Sequence, residues 1–171
     1  LDFNVITPRT VFHDPGYYQI HADGRMYRDW LEGGHGAISL EHAIAESCTT
    51  YFYFVADKLG IDRMHDIFSR FGLGEYTNID IRGESKGIAP SQAWKKQTKR
   101  QSWYHGETLI TGIGQGYTLV TPLQMATVAS TIASHGQIVV RVRCLFNVPR
   151  LRCFPPLFRV EGWSTRPATM S

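Results

Sequence analysis

The feature that most constrains this chain is a glycine-rich loop running into a helical stripe that breaks on itself. Residues 29–52 read Asp-Trp-Leu-Glu-Gly-Gly-His-Gly-Ala-Ile-Ser-Leu-Glu-His-Ala-Ile-Ala-Glu-Ser-Cys-Thr-Thr-Tyr-Phe. Glycine accepts backbone angles that other residues avoid, so Gly33, Gly34 and Gly36 let the loop around His35 fold back. Ser39 then suits a helix N-cap, with Glu41 in the first turn to complement the helix dipole. Leu40, Ile44, Cys48, Tyr51, Phe52, Val55 and Leu59 recur at helical steps, and Gly60 stands where a terminating glycine belongs. Ser47-Cys48-Thr49-Thr50 interrupts the stripe, because short polar side chains compete with the helical hydrogen-bond ladder. The expectation is helix over 38–60, broken at 47–49.

The same stretch is rich in chemistry. Asp29, His35, Ser47 and Cys48 offer a carboxylate, an imidazole, a hydroxyl and a thiol, which are side chains that bind zinc and move protons. A solvated loop followed by an ordinary core helix is the alternative. Composition is that of a globular chain: 171 residues, 43% apolar and 19% charged, argue for one domain and against disorder. Net charge is +3 with both signs interspersed. The dense basic run Lys95-Lys96-Gln97-Thr98-Lys99-Arg100 reads as a solvated helix end or loop, and no broader basic face supports nucleic-acid binding. No run approaches the ~18 apolar residues of a membrane span. The opening Leu1-Asp2-Phe3-Asn4 resembles neither a signal peptide nor a translation start, so an excised segment is expected. Three cysteines exclude a complete disulfide framework, though Cys144 and Cys153 could pair.

Elsewhere the pattern is of short elements. Thr7-Pro8-Arg9-Thr10 and Asp14-Pro15-Gly16 are turn signals, and Tyr17–Ile20 and Met26–Trp30 read as strands joined at Asp23-Gly24. Asp62 can cap a helix carrying Met64, Ile67, Phe68 and Phe71 and ending at Gly72. Asn78–Ile81 suits a short strand, and residues 83–108 suit loop with a helical turn near Trp94. Gly112-Ile113-Gly114-Gln115-Gly116 lacks the spacing of a phosphate cradle. Thr121-Pro122-Leu123-Gln124 is a strong helix start, with a capping box and proline in the first turn, predicting one helix over 121–135 and a strand at Ile138–Val140. From Arg141 onward no period is visible.

Taken in order, Asp14-Pro15-Gly16, Arg28-Asp29-Trp30, Gly33-Gly34-His35-Gly36, Ser47-Cys48-Thr49-Thr50-Tyr51-Phe52-Tyr53, Met64 after Gly60-Ile61-Asp62-Arg63, Phe71-Gly72, Trp103-Tyr104, Gly112–Tyr117 and Thr121–Met125 resemble the transpeptidase domain of the penicillin-binding protein 2 family. The resemblance runs from about Ile6 to Val140. It implies an α/β fold: part of a serine β-lactamase-like transpeptidase domain, this segment mainly helical with short strands. Residues 1–140 would be the middle of that domain, and 141–171 a divergent tail, read as a coding-frame change near Arg141 or as genuine divergence.

The implied chemistry is serine acyl transfer between peptidoglycan stem peptides, with β-lactams trapped on the same serine. Membrane proteins of cell elongation are the implied partners, and the periplasmic side of a bacterial inner membrane is the implied place. Of the family's three catalytic motifs only the second is found, at Ser47-Cys48-Thr49, so Ser47 and Thr49 are the candidate catalytic residues. Thr49 departs from the amide or carboxylate expected there. No serine has a lysine three positions on, and no Lys-Ser/Thr-Gly occurs. The nucleophile is therefore expected upstream of Leu1, and this chain alone is expected not to react with penicillin. The resemblance also implies a structural zinc held by Asp14, Asp29, His35 and Cys48, with His13, His21 and His42 as less favoured histidines. A zinc-stapled scaffold without catalysis is the alternative function.

Overall fold

The structure is a computed structural model that describes residues 3–20, 24–79, 82–138 and 158–159. The chain divides into two compact units, Leu1–His65 with Pro90–Thr118, and Asp66–Ala89 with Leu119–Ser171. No helix among the described residues is long and apolar enough to cross a membrane.

In the first unit, strand β1 (Val11–Asp14) pairs antiparallel with β4 (Gly36–Ser39), setting Asp14 opposite Gly36. Strands β2 (Tyr17–Gln19) and β3 (Met26–Arg28) pair antiparallel as expected, while Asp23 of the expected turn lies outside the described residues. Helices α1 (Leu40–Ala45) and α2 (Thr49–Leu59) follow, and the stripe breaks at 46–48, one residue before the 47–49 expected, with Thr49 already helical. The strand β4 replaces the expected helix at residues 38 and 39, because its partner β1 lies far back in sequence. Ser39 is the N-cap of α1 by position, but its hydroxyl contacts His42 Nδ1 at 3.0 Å rather than a backbone amide. Gly60, with φ +74°, ends α2.

Helix α2 carries the core. Tyr51 is fully buried in one cluster with Ile6, Ile38, Ala43 and Cys48, where Phe12 stacks on Phe54 at 4.9 Å. Tyr53 enters a second cluster with Ile20 and Leu109. Ile44, assigned to the apolar stripe by its spacing, is 62% exposed. The break after α1 removes it from the phase of α2.

Residues 83–108, expected to be mostly loop, hold two helices: α4 (Gln92–Lys99) and the first turn of α5 (His105–Gly112). Their signals are polar caps rather than apolar periods. Ser91 accepts from Trp94 N, and Glu107 accepts from Tyr104 N in a capping box. Gly112 lets α5 approach α2, for a Cβ there would stand 2.4 Å from Ala56 Cβ. Lys95, placed by its basic neighbours in a solvated face, is instead fully buried. Helix α3 (Ile61–Arg70) begins one residue before Asp62, so Asp62 is not its cap. That carboxylate accepts from Gln92 N and Nε2 at the start of α4.

In the second unit, α6 (Pro122–Ala133) starts as expected, with Thr121 and Gln124 in a reciprocal capping box. Gln124 Nε2 also donates to the carbonyls of Glu75 and Lys86, tying that loop to the helix start. Strand β5 (Gln137–Ile138) pairs with β6 (Phe158–Arg159). The strand expected at Asn78–Ile81 is not formed at residues 78 and 79, where Asn78 takes φ +58°. Asp80, Ile81, Val139, Val140, His21 and the tail from Arg141, apart from β6, lie outside the described residues.

Candidate functional site

The β1–β2 turn, the end of β3, the glycine loop and the start of α2 converge on one point. Gly34 makes the first contact possible. Its φ is +75°, and a Cβ there would lie 2.2 Å from Gly16 N and 2.3 Å from Asp14 O. Only glycine lets residues 33–35 lie against that turn, and His35 is thereby laid beside Asp14. Asp29 is brought in by its own backbone, whose N–H donates to Gly16 O at 2.8 Å.

Asp14, Asp29, His35 and Cys48 each offer a ligand atom, and these atoms all lie within 4.8 Å of one another. The side chains of Asp14 and Asp29 are wholly shielded from solvent, Cys48 is fully buried, and that of His35 is 7% exposed. His35 Nδ1 lies 2.8 Å from Asp14 Oδ2 and 3.9 Å from Asp29 Oδ1. Asp14 Oδ2 also accepts from His35 N at 2.9 Å and from the Cys48 thiol at 3.4 Å, while its Oδ1 accepts from Gly16 N. Among the described residues the competing histidines stand apart: His13 and His42 are exposed.

Electrostatics here follow from burial and hydrogen bonds in opposition. Burial pushes Asp14 upward, but bonds from the His35 ring, His35 N and Gly16 N outweigh it and its pKa falls below the usual carboxylate value. For Asp29 burial is again opposed, chiefly by the backbone and hydroxyl of Thr50, and the pKa drops to about 2. Burial, with the nearby Asp14 and Asp29 charges, drives Cys48 up to about 12. His35 Nε2 is buried without a hydrogen-bond partner.

This donor set fits a zinc ion. Nitrogen, oxygen and sulfur donors are the ones zinc accepts, and tetrahedral ligands at about 2.0–2.3 Å from the metal sit roughly 3.3–3.8 Å apart. A cation beside Cys48 would favour its thiolate.

Ser47 and Thr49 flank Cys48. Ser47 is exposed and held at φ +54°, a left-handed backbone rare outside glycine and asparagine. Its N–H reaches back to Ile44 O, and Cys48 N donates to Ala43 O at 2.9 Å. The thiol then caps α2 by accepting from Tyr51 N at 3.4 Å. Thr49 Oγ1 is buried without a hydrogen bond of acceptable geometry, although it lies near enough to Asp29 to favour that carboxylate's charge. Thr50 was not a sequence candidate, yet its N and Oγ1 both donate to Asp29 Oδ2, at 2.9 and 2.7 Å. Its one sequence signal is its place two residues after a helix-capping cysteine.

Residues 1–142 match the family described as the penicillin binding protein transpeptidase domain. The chain is 40% identical over 140 residues to the peptidoglycan D,D-transpeptidase MrdA of Acinetobacter baumannii, covering 82% of this chain and 21% of that protein. Against MrdA of Escherichia coli K12 the identity is 40% over 136 residues, or 80% of this chain and 22% of the relative. The chain thus spans about a fifth of the length of these curated relatives. Among solved structures, penicillin-binding protein 2 of Pseudomonas aeruginosa in complex with WCK 5153 superposes with a TM-score of 0.76 at 50% identity, over 79% of this chain and 30% of the other. Penicillin-binding protein 2 of Helicobacter pylori gives 0.73 at 36%, over 79% and 25%.

Proposed function

The chain belongs to the penicillin-binding protein transpeptidase family, and from that premise we propose that it is the middle section of a peptidoglycan D,D-transpeptidase of the penicillin-binding protein 2 type. The observation that carries the reading is the exposed, left-handed Ser47 beside a buried cluster of four potential ligands. A left-handed serine costs of order 1–3 kcal/mol and persists only where its surroundings over-determine it. Here the next residue, Cys48, is fixed by the core, by the start of α2 and by Asp14.

In this reading Asp14, Asp29, His35 and Cys48 hold a structural zinc. Four protein ligands would leave such an ion no open position, so that it would contribute folding energy rather than catalysis. Its role is to staple the glycine loop to the turn that presents Ser47. Ser47 relays a proton toward the leaving group of a D-Ala-D-Ala stem peptide once a nucleophilic serine from elsewhere in the protein has attacked. Thr49 replaces a longer amide or carboxylate, and its hydroxyl faces Asp29's surroundings instead of offering a two-atom hydrogen-bonding group.

The nucleophile and the Lys-Ser/Thr-Gly strand belong to parts of the protein outside these 171 residues, since neither pattern occurs within them. Peptidoglycan stem peptides and β-lactams are the proposed ligands of the whole enzyme. A relative from Helicobacter pylori has been solved in complex with MreC, which supports a cell-elongation partner of that kind. The proposed place is the periplasmic face of the inner membrane, with the anchor outside this chain.

The test is a fluorescent-penicillin gel on the 171-residue chain and on the protein extended to its full reading frame. Labelling of the extended protein alone is expected. Stable labelling of the short chain would mean that the nucleophile has been misplaced. An extended protein that binds zinc but never labels would favour the scaffold reading.

A further inference from the structure

The geometry points to Thr50 as a positioning residue for a metal: it holds Asp29 Oδ2, leaving Oδ1 as the oxygen that would serve as ligand. The inference rests on the zinc reading above and adds a residue that is not itself a ligand. Thr50 is fully buried, in the first turn of α2. Its N–H and hydroxyl both bind Asp29 Oδ2, while Asp29 Oδ1, supported by Leu31 N at 3.2 Å, is the oxygen that faces His35 Nδ1. A carboxylate free to rotate can offer either oxygen or both. This one can offer one.

Charge gives a second reason. Two carboxylates and a thiolate around a divalent ion leave about one net negative charge in a buried place. The first amides of a helix have no partner within the helix and carry the positive end of its dipole. In α2 two of those amides are spent on ligands, Thr50 N on Asp29 and Tyr51 N on Cys48 Sγ. The Thr50 hydroxyl adds a third donor at the same point. Together they spread the surplus charge without adding a cation.

Zinc competition against a chromophoric chelator, run on the chain and on its variants, tests this. Thr50→Val keeps the shape and the backbone amide but removes the hydroxyl, and outer partners of metal ligands typically contribute about 10–100-fold in affinity. Thr50→Val is therefore expected to bind zinc that much more weakly, whereas Thr50→Ser, which restores the donor, stays near wild type. Equal affinity in wild type and Thr50→Val overturns the inference, as does equal weakening in both variants, since the hydroxyl would then not be the cause. Cys48→Ser separates the underlying reading. If wild type takes up no more zinc than Cys48→Ser, the metal site falls and Thr50's role with it. A wild type that binds well and a Thr50→Val that binds equally well sinks only the positioning role.

Discussion

Lys95 and the cluster of Asp14, Asp29, His35 and Cys48 are both polar groups taken out of water in the same unit, but only the first is complete by itself. Lys95 Nζ reaches both oxygens of Glu107 at 2.6 and 2.7 Å and lies over the ring of Tyr104 at 4.4 Å, with Tyr117 and Trp103 within 6 Å. Charge meets charge, and the rings supply further negative potential. The cluster has no such balance. It gathers acidic donors, its burial and those charges push the Cys48 thiol up to about 12, and His35 Nε2 is left unpaired. A buried ion pair of the first kind serves packing and position, whereas an unbalanced donor set of the second kind is what the proposed zinc would balance.

The contrast can be broken most forcefully at Lys95. Lys95→Ala leaves Glu107 without its cation; breaking a fully buried pair typically costs about 3–5 kcal/mol, and the cost here falls below that because the Glu107 side chain is 24% exposed. Chemical denaturation is expected to show that loss with zinc present or absent, and Lys95→Met with Glu107→Leu is expected to recover part of it. A Lys95→Ala chain as stable as wild type would show that the pair is solvated in solution.

Metal removal is the complementary test. Where free zinc stands at about 1,000 times its Kd, binding adds about 4 kcal/mol to stability. Chelation is therefore expected to lower the melting temperature of wild type and to leave Cys48→Ser unmoved. Equal chelator sensitivity in both would remove Cys48 from the ligand set.

A third variant sharpens the same division. At Gly112 an added Cβ meets Ala56 Cβ, and overpacking a core typically costs about 1–3 kcal/mol. Gly112→Ala is expected to loosen α5 from α2 while zinc affinity holds, because the hydrogen bonds that hold the cluster run to the β1–β2 turn, the glycine loop and the start of α2 and not to α5. Loss of zinc binding in this variant would show the two regions to be coupled.

The smallest expected effect is a pH dependence outside both regions. Asp57 is pushed up by burial but held lower overall by hydrogen bonds from Tyr18 (2.6 Å) and His105. A carboxylate with a depressed folded-state pKa contributes stability that is full above its unfolded value and fades as pH falls through the folded value. Wild type is thus expected to lose stability below about pH 4 more steeply than Asp57→Asn. Parallel acid profiles would show that Asp57 gains nothing from its partners.

Much of the site could be read from the chain, and for unequal reasons. The break at 46–48, the glycine that ends α2 and the capping box at Thr121 depend on neighbours within four residues, so a local reading reached them. The four proposed ligands follow from a motif order that resembles a family, since spacing alone could not separate His35 from His13 or His42. Ile44 shows where local reading stops: its helical step was right, but the break placed it on the solvent side. Helix α5 was missed because its start is signalled by Tyr104 and Glu107 rather than by an apolar period.

By itself, then, the sequence determined where the chain must turn, where α2 and α6 begin, and which donor types lie close along the loop. These are consequences of backbone sterics and of hydrogen bonds closed within a turn. Tertiary structure alone decided that Lys95 is buried while Lys96 beside it is exposed, that β4 pairs with β1, and that Thr50 holds Asp29. Each of those joins residues more than ten positions apart, and a helix or strand carries no local mark of which partner will cover which face.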